Sequence, residues 1–159
     1  NSSNGVYIIP AFAGLGAPYW NSKCNAIICG LTRESNKNHI IRASLESIAY
    51  QVNDLLECIS QDINNYPTEL NVDGGATENN FLLQFQSDIS NLNIIKPANI
   101  ESTALGAAFL SGIKAGIWKD SKEAFSKIKI DNVYKPKMKK NERNLLINGW
   151  KEAIKKCEH

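Results

Sequence analysis

The sequence predicts an α/β domain whose largely parallel or mixed sheet is flanked by helices. Short apolar segments that end at proline or glycine alternate along the 159 residues with longer segments of helical periodicity. The hydrophobic content of 43% and the charged content of 21% are typical of one compact domain or a large part of one. These observations favour a single α/β unit.

The first elements are two short strands around an ordered loop. The apolar segment Val6–Ile9 ends at Pro10, which is typical of a short buried strand. The segment Ala11–Trp20 carries glycines and a proline among aromatic residues, so it is predicted to be an ordered loop. Ala26–Leu31 is predicted to be the second strand.

The clearest predicted helix runs from Asn38 to Ser60, with Asn38 as its N-cap. Its large apolar residues are spaced four and three residues apart in alternation, which places them on one face of the helix. These residues are Ile41, Leu45, Ile48, Val52, Leu55 and Ile59.

Two further strands and two further helices follow. Leu70–Val72 and Asn93–Lys96 are predicted strands, and Glu78–Ser90 and Thr103–Ala115 are predicted helices. The inward residues are expected to be Leu82, Phe85 and Ile89 in the first helix and Leu105, Ala108, Phe109, Gly112 and Ile113 in the second. Small residues in the second helix are expected to let a neighbouring backbone approach closely.

The chain is predicted to end with a strand, Ile128–Tyr134, a basic linker, Lys135–Lys140, and an amphipathic helix. The apolar residues of that helix lie in line on one face. They are Leu146, Trp150, Ala153 and Cys157.

Composition excludes several classes of function. The net charge of +2 gives no electrostatic footprint for nucleic acid or an anionic membrane, no apolar run is long enough to span a bilayer, and no signal peptide is visible. The four cysteines form no CxxC pair and only two histidines occur, which argues against zinc or another metal site. We interpret the cysteines as buried free thiols in a reducing cytosol, which predicts a cytoplasmic location.

The segment from Leu70 to Asn80 contains the strongest candidate for a site. An apolar strand enters the turn Gly74-Gly75, and a helix is expected to begin directly afterwards. Backbone N–H groups at a helix N-terminus favour a phosphate or a nucleotide, and glycine removes the Cβ atoms that would hold a ligand away. Asn79, expected in the first helical turn, has an amide suited to an adenine edge. An ordinary tight turn without a ligand remains open on spacing alone.

Other motifs are rejected or assigned to structure. Gly14 and Gly16 resemble the opening of a dinucleotide fingerprint, but the third glycine is absent; the chain also has no phosphate loop and no GxSxG elbow. His39 is expected to make a surface or capping contact. The acidic residues Asp54, Glu57 and Asp62 are interpreted as a solvated face.

Four motifs, read together, resemble the C-terminal part of the FGGY family of carbohydrate kinases, and within it the members that phosphorylate glycerol. They are Val6–Trp20, the single signature formed by Ala26–Leu31 and His39–Glu46, Val72–Ala76 with Asn79–Phe81, and Glu101–Ala108. They stand in the family's order and extend from about Gly5 to Trp118, and more loosely to Trp150. Asn21 departs from the aspartate expected there and puts one loop contact in doubt.

The resemblance implies an actin-like (ribonuclease H-like) ATPase fold with two lobes around a cleft. Residues 1–159 would be the C-terminal nucleotide-binding lobe, with the N-terminal substrate lobe absent from this chain. Gly74, Gly75 and Ala76 would lie against Mg-ATP through their backbone atoms, and Asn79 would contact the adenosine. The implied reaction moves the γ-phosphoryl group of ATP onto glycerol, with Mg²⁺ neutralising charge.

The resemblance also defines what this chain lacks. The family's glycerol-binding residues and catalytic aspartate come earlier in the polypeptide, so no catalytic residue and no metal ligand is assigned, and the piece alone is expected to be inactive. ATP and glycerol are the expected substrates, with no nucleic acid or membrane partner, and the family implies a homodimer or larger assembly.

Three alternatives remain at this point. A sister sugar or polyol kinase would differ mostly in the missing lobe. An actin-like or Hsp70-like ATPase is disfavoured by the segment His39–Glu46, which belongs to sugar kinases. A non-catalytic scaffold is disfavoured by the intact turn at Gly74–Ala76.

Overall fold

The computed structural model describes residues 2–157. The second histidine of the sequence, the terminal His159, lies outside the described residues. Strands and helices alternate as predicted, and their bounds agree with the predictions to within a few residues. The strands are β1 Tyr7–Ile9, β2 Ile27–Cys29, β3 Glu69–Asn71, β4 Asn93–Pro97 and β5 Ile130–Tyr134. The helices are α1 Lys37–Ile63, α2 Asn80–Ser90, α3 Ser102–Lys114, α4 Ser121–Phe125 and α5 Lys140–Cys157, with a 3₁₀ turn at Gly75–Glu78. The short α4 was not predicted.

Within residues 2–157 the strands form two small sheets. β1 and β2 pair antiparallel as a separate ribbon. The order of the other sheet is β3-β4-β5, with β3 parallel and β5 antiparallel to the central β4. The expectation of a mixed sheet is therefore confirmed. None of the helices within residues 2–157 is long and apolar enough to cross a bilayer.

The main core lies where α1, α2, α5 and β1 meet. Tyr50 of α1 stacks on Trp150 of α5 with ring centroids 5.0 Å apart, and its other contacts include an edge-on approach to Phe85 of α2 at 5.5 Å. These rings are buried, as are Ile9 and Ile89 beside them. The aromatic cluster thus joins the two ends of the chain to its central helices.

Most of the apolar face predicted for α1 is exposed, although a face of this kind usually covers a core. Ile41 is 58% exposed and Ile59 is 51% exposed, while the buried face of α1 carries mainly small, aromatic and polar residues. Some of the buried polar side chains of this face make hydrogen bonds, such as that from Arg42 Nε to Glu46 Oε1 at 2.5 Å. The sequence periodicity therefore identified an apolar face correctly but not the core of the described residues.

The N-cap of α1 is Asn36, not Asn38 as the sequence predicted. The side chain of Asn36 accepts a hydrogen bond from the N–H of Asn38 at 2.9 Å, and the N–H of Asn36 donates to Nδ1 of His39 at 3.3 Å. This reciprocal arrangement is a capping box with histidine in place of the usual glutamate. The capping contact expected for His39 is confirmed.

We expect Asn36→Ala to lower the free energy of unfolding by about 1 kcal/mol, because it removes the acceptor for an N–H at the first turn of α1. Asn38→Ala is the matched control and should cost less than half as much, since its side chain makes no cap. Urea unfolding of both variants measures the difference. A larger loss for Asn38→Ala would contradict this assignment of the cap.

Of the two glycines of α3, only Gly112 has a close neighbour, and that neighbour is a side chain instead of the predicted backbone. A Cβ at Gly112 would lie 2.2 Å from the indole of Trp118, whereas a Cβ at Gly106 would meet nothing within 4 Å. Ala108, predicted to face inward, is exposed. Phe109 is buried as expected and packs edge-on against Trp118 at 5.3 Å.

Asp54 is buried, which contradicts the interpretation of a solvated acidic face. Its Oδ2 atom accepts hydrogen bonds from Trp150 Nε1 at 2.7 Å and from the Tyr19 hydroxyl at 2.8 Å. Burial raises the pKa of the Asp54 carboxyl, and these two hydrogen bonds only partly offset that effect. Asp54 therefore fastens the Ala11–Trp20 loop and α5 to α1.

The raised pKa of Asp54 predicts a specific pH dependence of stability. An acid whose pKa is higher in the folded state than its unfolded value of about 3.9 binds more protons when folded, so stability falls as pH rises through that window. The free energy of unfolding of the unmodified chain, relative to Asp54→Asn, should therefore decrease from about pH 4 upward and then level off. Urea unfolding of both proteins across this range tests it, and a relative stability that rises with pH would refute it.

Candidate functional site

The turn after β3 is held in shape by the main chain and by one threonine. Gly74 has a φ of +83°, in the left-handed region that favours glycine, and its N–H donates to the carbonyl of Ile100 at 3.0 Å. The hydroxyl and the N–H of Thr77 both donate to the Gly74 carbonyl, at 2.7 and 3.0 Å. The turn is therefore fixed against the segment that precedes α3.

The next two residues present unused donors. The N–H groups of Gly75 and Ala76 have no acceptor within residues 2–157, and both residues are exposed. A Cβ added at Gly75 would meet nothing within 4 Å, so local packing does not require glycine at this position. An exposed backbone with two free N–H donors and no side chain at Gly75 is suited to an anionic or polar ligand that approaches closely.

The helix begins two residues later than predicted, which changes the role of Asn79. This residue is the N-cap of α2 instead of part of its first turn, and its Oδ1 accepts from the N–H of Leu82 at 3.1 Å. No acceptor for its Nδ2 lies among the residues that the structure describes. The cap fixes the orientation of the side-chain amide and leaves its nitrogen available as a donor.

Three of the four predicted site residues lie on one open cleft of about 650 Å³, a size suited to a nucleotide. Gly74 does not line the cleft and instead shapes the turn behind it. The lining residues are Leu45, Ile48, Gly75, Ala76, Glu78, Asn79, Asn80, Phe81 and Leu82. Sequence reasoning missed the contribution of α1, Leu45 and Ile48, for which the only signal was membership of the apolar face.

The charges near the cleft include one basic residue in contact with an acid of its wall. The ammonium of Lys96 lies 3.8 Å from Glu78 and 3.3 Å from Asp131. Its hydrogen bond to Asp131 raises the pKa of Lys96, so it is a cation at neutral pH. Within the described part of the chain no group of three or more His, Cys, Asp or Glu side chains could hold a metal ion.

The four cysteines are free thiols, but only two of them match the prediction of burial. Cys24 and Cys157 are buried, and Cys29 and Cys58 are partly exposed. None of them lines the cleft. The thiols therefore have no part in the candidate site.

A known domain family matches most of this sequence. The description of that family is "FGGY family of carbohydrate kinases, C-terminal domain", and the match covers residues 2–115. The chain is 52% identical over 157 residues to a glycerol kinase of Photorhabdus laumondii and 51% identical over 151 residues to one of Mycoplasmopsis pulmonis. These alignments cover 99% and 95% of this chain.

Solved structures of a glycerol kinase and a xylulose kinase share the fold. A glycerol kinase of Plasmodium falciparum, crystallised with ADP, superposes with a TM-score of 0.88 at 36% identity over 98% of this chain. A ligand-bound xylulose kinase of Lactobacillus acidophilus has a TM-score of 0.77 at 26% identity over 96% of this chain. The chain spans 31% of each of these two structures. It likewise spans 31% and 30% of the two curated relatives.

Proposed function

Because the chain belongs to the FGGY family of carbohydrate kinases and has its actin-like ATPase fold, we propose that it supplies the nucleotide-binding C-terminal lobe of an enzyme that phosphorylates glycerol from ATP. Residues 1–159 form that lobe, and the N-terminal lobe with the glycerol site lies outside them. The product is glycerol 3-phosphate. The glycerol kinases among the relatives support this choice over a sister sugar kinase.

One observation carries the proposal: Gly75, Ala76 and Asn79 place unused donors on a single cleft of nucleotide size. In the proposed complex, the N–H groups of Gly75 and Ala76 lie against the nucleotide, and Gly74 holds the turn that presents them. The Nδ2 atom of Asn79 donates to the adenosine. The wall formed by Leu45 and Ile48 supplies an apolar surface for the base.

The proposed cofactor is Mg²⁺ bound to ATP, which neutralises the phosphate charge during transfer. The donors at the turn are N–H groups and an amide, which suit a nucleotide and not a cation. We therefore propose that the phosphates and groups outside this chain hold the ion. The proton of the glycerol hydroxyl passes to a carboxylate in the missing lobe, and this chain positions the nucleotide.

Membership of the family supports three further proposals. We propose that the complete enzyme acts in the cytoplasm, assembles as a homodimer or larger oligomer, and needs neither a nucleic acid nor a membrane. Closure of its two lobes would exclude water from the cleft and limit wasteful hydrolysis of ATP.

The test is a chimera in which this chain replaces the matching segment of the Mycoplasmopsis pulmonis glycerol kinase, to which it is 51% identical. We expect ADP release that depends on glycerol. Asn79→Ala should raise KM for ATP severalfold, because it removes one uncharged hydrogen-bond donor and the cap of α2. KM for glycerol should stay unchanged.

The control is Asn79→Ser, which keeps a capping oxygen, adds no charge and removes the Nδ2 donor. If Asn79→Ser preserves the thermal midpoint but impairs ATP use as Asn79→Ala does, the donor role is supported. A folded chimera that releases ADP with another polyol or sugar but not with glycerol would contradict the choice of substrate. Release of ADP without any acceptor would favour the non-kinase ATPase.

A further inference from the structure

We propose that the carboxylate of Glu78 accepts a hydrogen bond from a ribose hydroxyl of the bound nucleotide and so makes the cleft selective for ribonucleotides. This inference rests on the proposed function, since it takes the nucleotide to lie along the turn that contains Gly75 and Ala76. It adds a specificity-determining residue for the sugar to the groups proposed for the phosphates and the adenosine.

Glu78 lies on the wall of the cleft, between the residues proposed for the two ends of the ligand. It is the last residue of the 3₁₀ turn that begins at Gly75, and it directly precedes Asn79, the N-cap of α2. In the proposed complex Gly75 and Ala76 face the nucleotide through their N–H groups, which suit its phosphates, and Asn79 contacts the adenosine. The ribose joins the phosphates to the base, so the position of Glu78 in the turn corresponds to that of the ribose.

The carboxylate of Glu78 is the side-chain acceptor that stays available on this cleft. Among the lining residues, side-chain oxygen acceptors occur at Glu78, Asn79 and Asn80. The Oδ1 atom of Asn79 already accepts from the N–H of Leu82 at 3.1 Å, and that of Asn80 accepts from the Tyr134 hydroxyl at 2.5 Å. The side chain of Glu78 is 68% exposed, so a ligand in the cleft can reach it.

The hydroxyls of a ribose need an acceptor of this kind. The backbone N–H groups of the turn and the Nδ2 atom of Asn79 can only donate, so they suit phosphate oxygens and ring nitrogens. A hydroxyl that donates to a carboxylate forms a charge-assisted hydrogen bond, about twice as strong as one between neutral groups. Dinucleotide sites use an acidic side chain on the ribose for the same chemical reason.

Lys96 makes this carboxylate compatible with phosphates nearby. Its ammonium lies 3.8 Å from Glu78 Oε1 and 3.3 Å from Asp131 Oδ2, and its side chain is only 13% exposed. The cation offsets part of the repulsion between Glu78 and the phosphates. At 3.8 Å the contact with Glu78 is longer than a hydrogen bond, so the carboxylate keeps its capacity to accept one from a ligand.

The experiment measures nucleotide binding by calorimetry, without glycerol, to the chimera of this chain with the Mycoplasmopsis pulmonis kinase. The probes are ADP, 2′-deoxy-ADP, 3′-deoxy-ADP and IDP, which keeps the ribose and lacks the 6-amino group of adenine. We expect ADP to bind at least about tenfold more tightly than one of the two deoxy analogues, and that analogue identifies the hydroxyl. In Glu78→Ala this preference should fall below about threefold.

Two matched variants separate a ribose contact from a structural role. Glu78→Gln keeps a side-chain oxygen as acceptor, so its preference for ADP should lie between those of the unmodified chimera and Glu78→Ala. Glu34 is exposed and lies outside the lining of the cleft, so Glu34→Ala should keep the full preference. A lower thermal midpoint in Glu78→Ala with an unchanged preference would assign Glu78 to the N-terminus of α2 and overturn the proposal.

The outcomes also separate this inference from the proposed function. A preference that depends on Glu78, in a chimera without glycerol-dependent ADP release, supports the ribose contact and contradicts the function. Glycerol-dependent ADP release with equal affinity for ADP and both deoxy analogues supports the function and overturns the ribose contact. If Glu78→Ala changes only the discrimination between ADP and IDP, Glu78 contacts the base and the proposal is likewise overturned.

Discussion

Replacing Trp150 by alanine is expected to lower the free energy of unfolding by about 4 kcal/mol, the largest effect on stability that we predict. The Trp150 side chain is only 1% exposed and stacks on Tyr50 at 5.0 Å. Its truncation leaves a cavity in the main core and removes a donor from the buried carboxylate of Asp54. Urea unfolding followed by circular dichroism measures the loss.

Two matched variants separate the causes of that loss. Trp150→Phe keeps a ring against Tyr50 but lacks the N–H, so it should cost less than half as much as alanine. Trp20→Ala removes an indole that is 80% exposed and should change the free energy of unfolding by less than about 0.5 kcal/mol. An equal loss for Trp20→Ala and Trp150→Ala would contradict the assignment of the core.

The elements that the sequence predicted well are those with local signals. Pro10 and Pro97 mark the ends of β1 and β4 within a residue or so, and the inward residues of α2 are buried as expected. Proline ends a strand through its own geometry, and the spacing of α2 agrees with the core it meets. In these places the local preference and the tertiary environment require the same structure.

The wrong prediction for Asp54 and the exposure of the apolar face of α1 depended on groups distant in sequence, whereas the misplaced starts of α1 and α2 involved only neighbouring residues. Asp54 lies in an acidic stretch, and only Tyr19 and Trp150, 35 and 96 residues away, make its burial possible. The apolar face of α1 was identified correctly, but its exposure within these residues follows from which segments pack against the helix. The spacing of residues along the chain predicts neither the burial of Asp54 nor the exposure of the apolar face of α1.

The candidate site was only partly predictable, because part of it has a local signal and part depends on a helix distant in sequence. The glycines at 74 and 75 predict a turn at which the backbone can approach a ligand. In the structure the two glycines have different roles. Gly74 adopts a left-handed conformation, while Gly75 leaves open space on the cleft. Leu45 and Ile48 form a wall of the cleft only because α1 passes beside the turn. The local sequence pattern does not predict that arrangement.

Gly75→Val is expected to lower the affinity of the chain for ADP at least about tenfold, which corresponds to about 1.4 kcal/mol. The added side chain occupies the space through which the nucleotide approaches the N–H groups of Gly75 and Ala76. The fold should persist, because a Cβ at this position meets no atom within 4 Å. Calorimetry with ADP and the thermal midpoint of each protein measure the two effects separately.

Gly16→Val is the matched control, because Gly16 is also exposed, with nothing within 4 Å of an added Cβ, and it lies outside the lining of the cleft. It should leave ADP binding unchanged. Equal ADP affinity in Gly75→Val and the unmodified chain would mean that the turn only connects β3 to α2. A selective loss in Gly75→Val with an unchanged midpoint would mean that glycine is kept there for a ligand, since the fold itself does not require it.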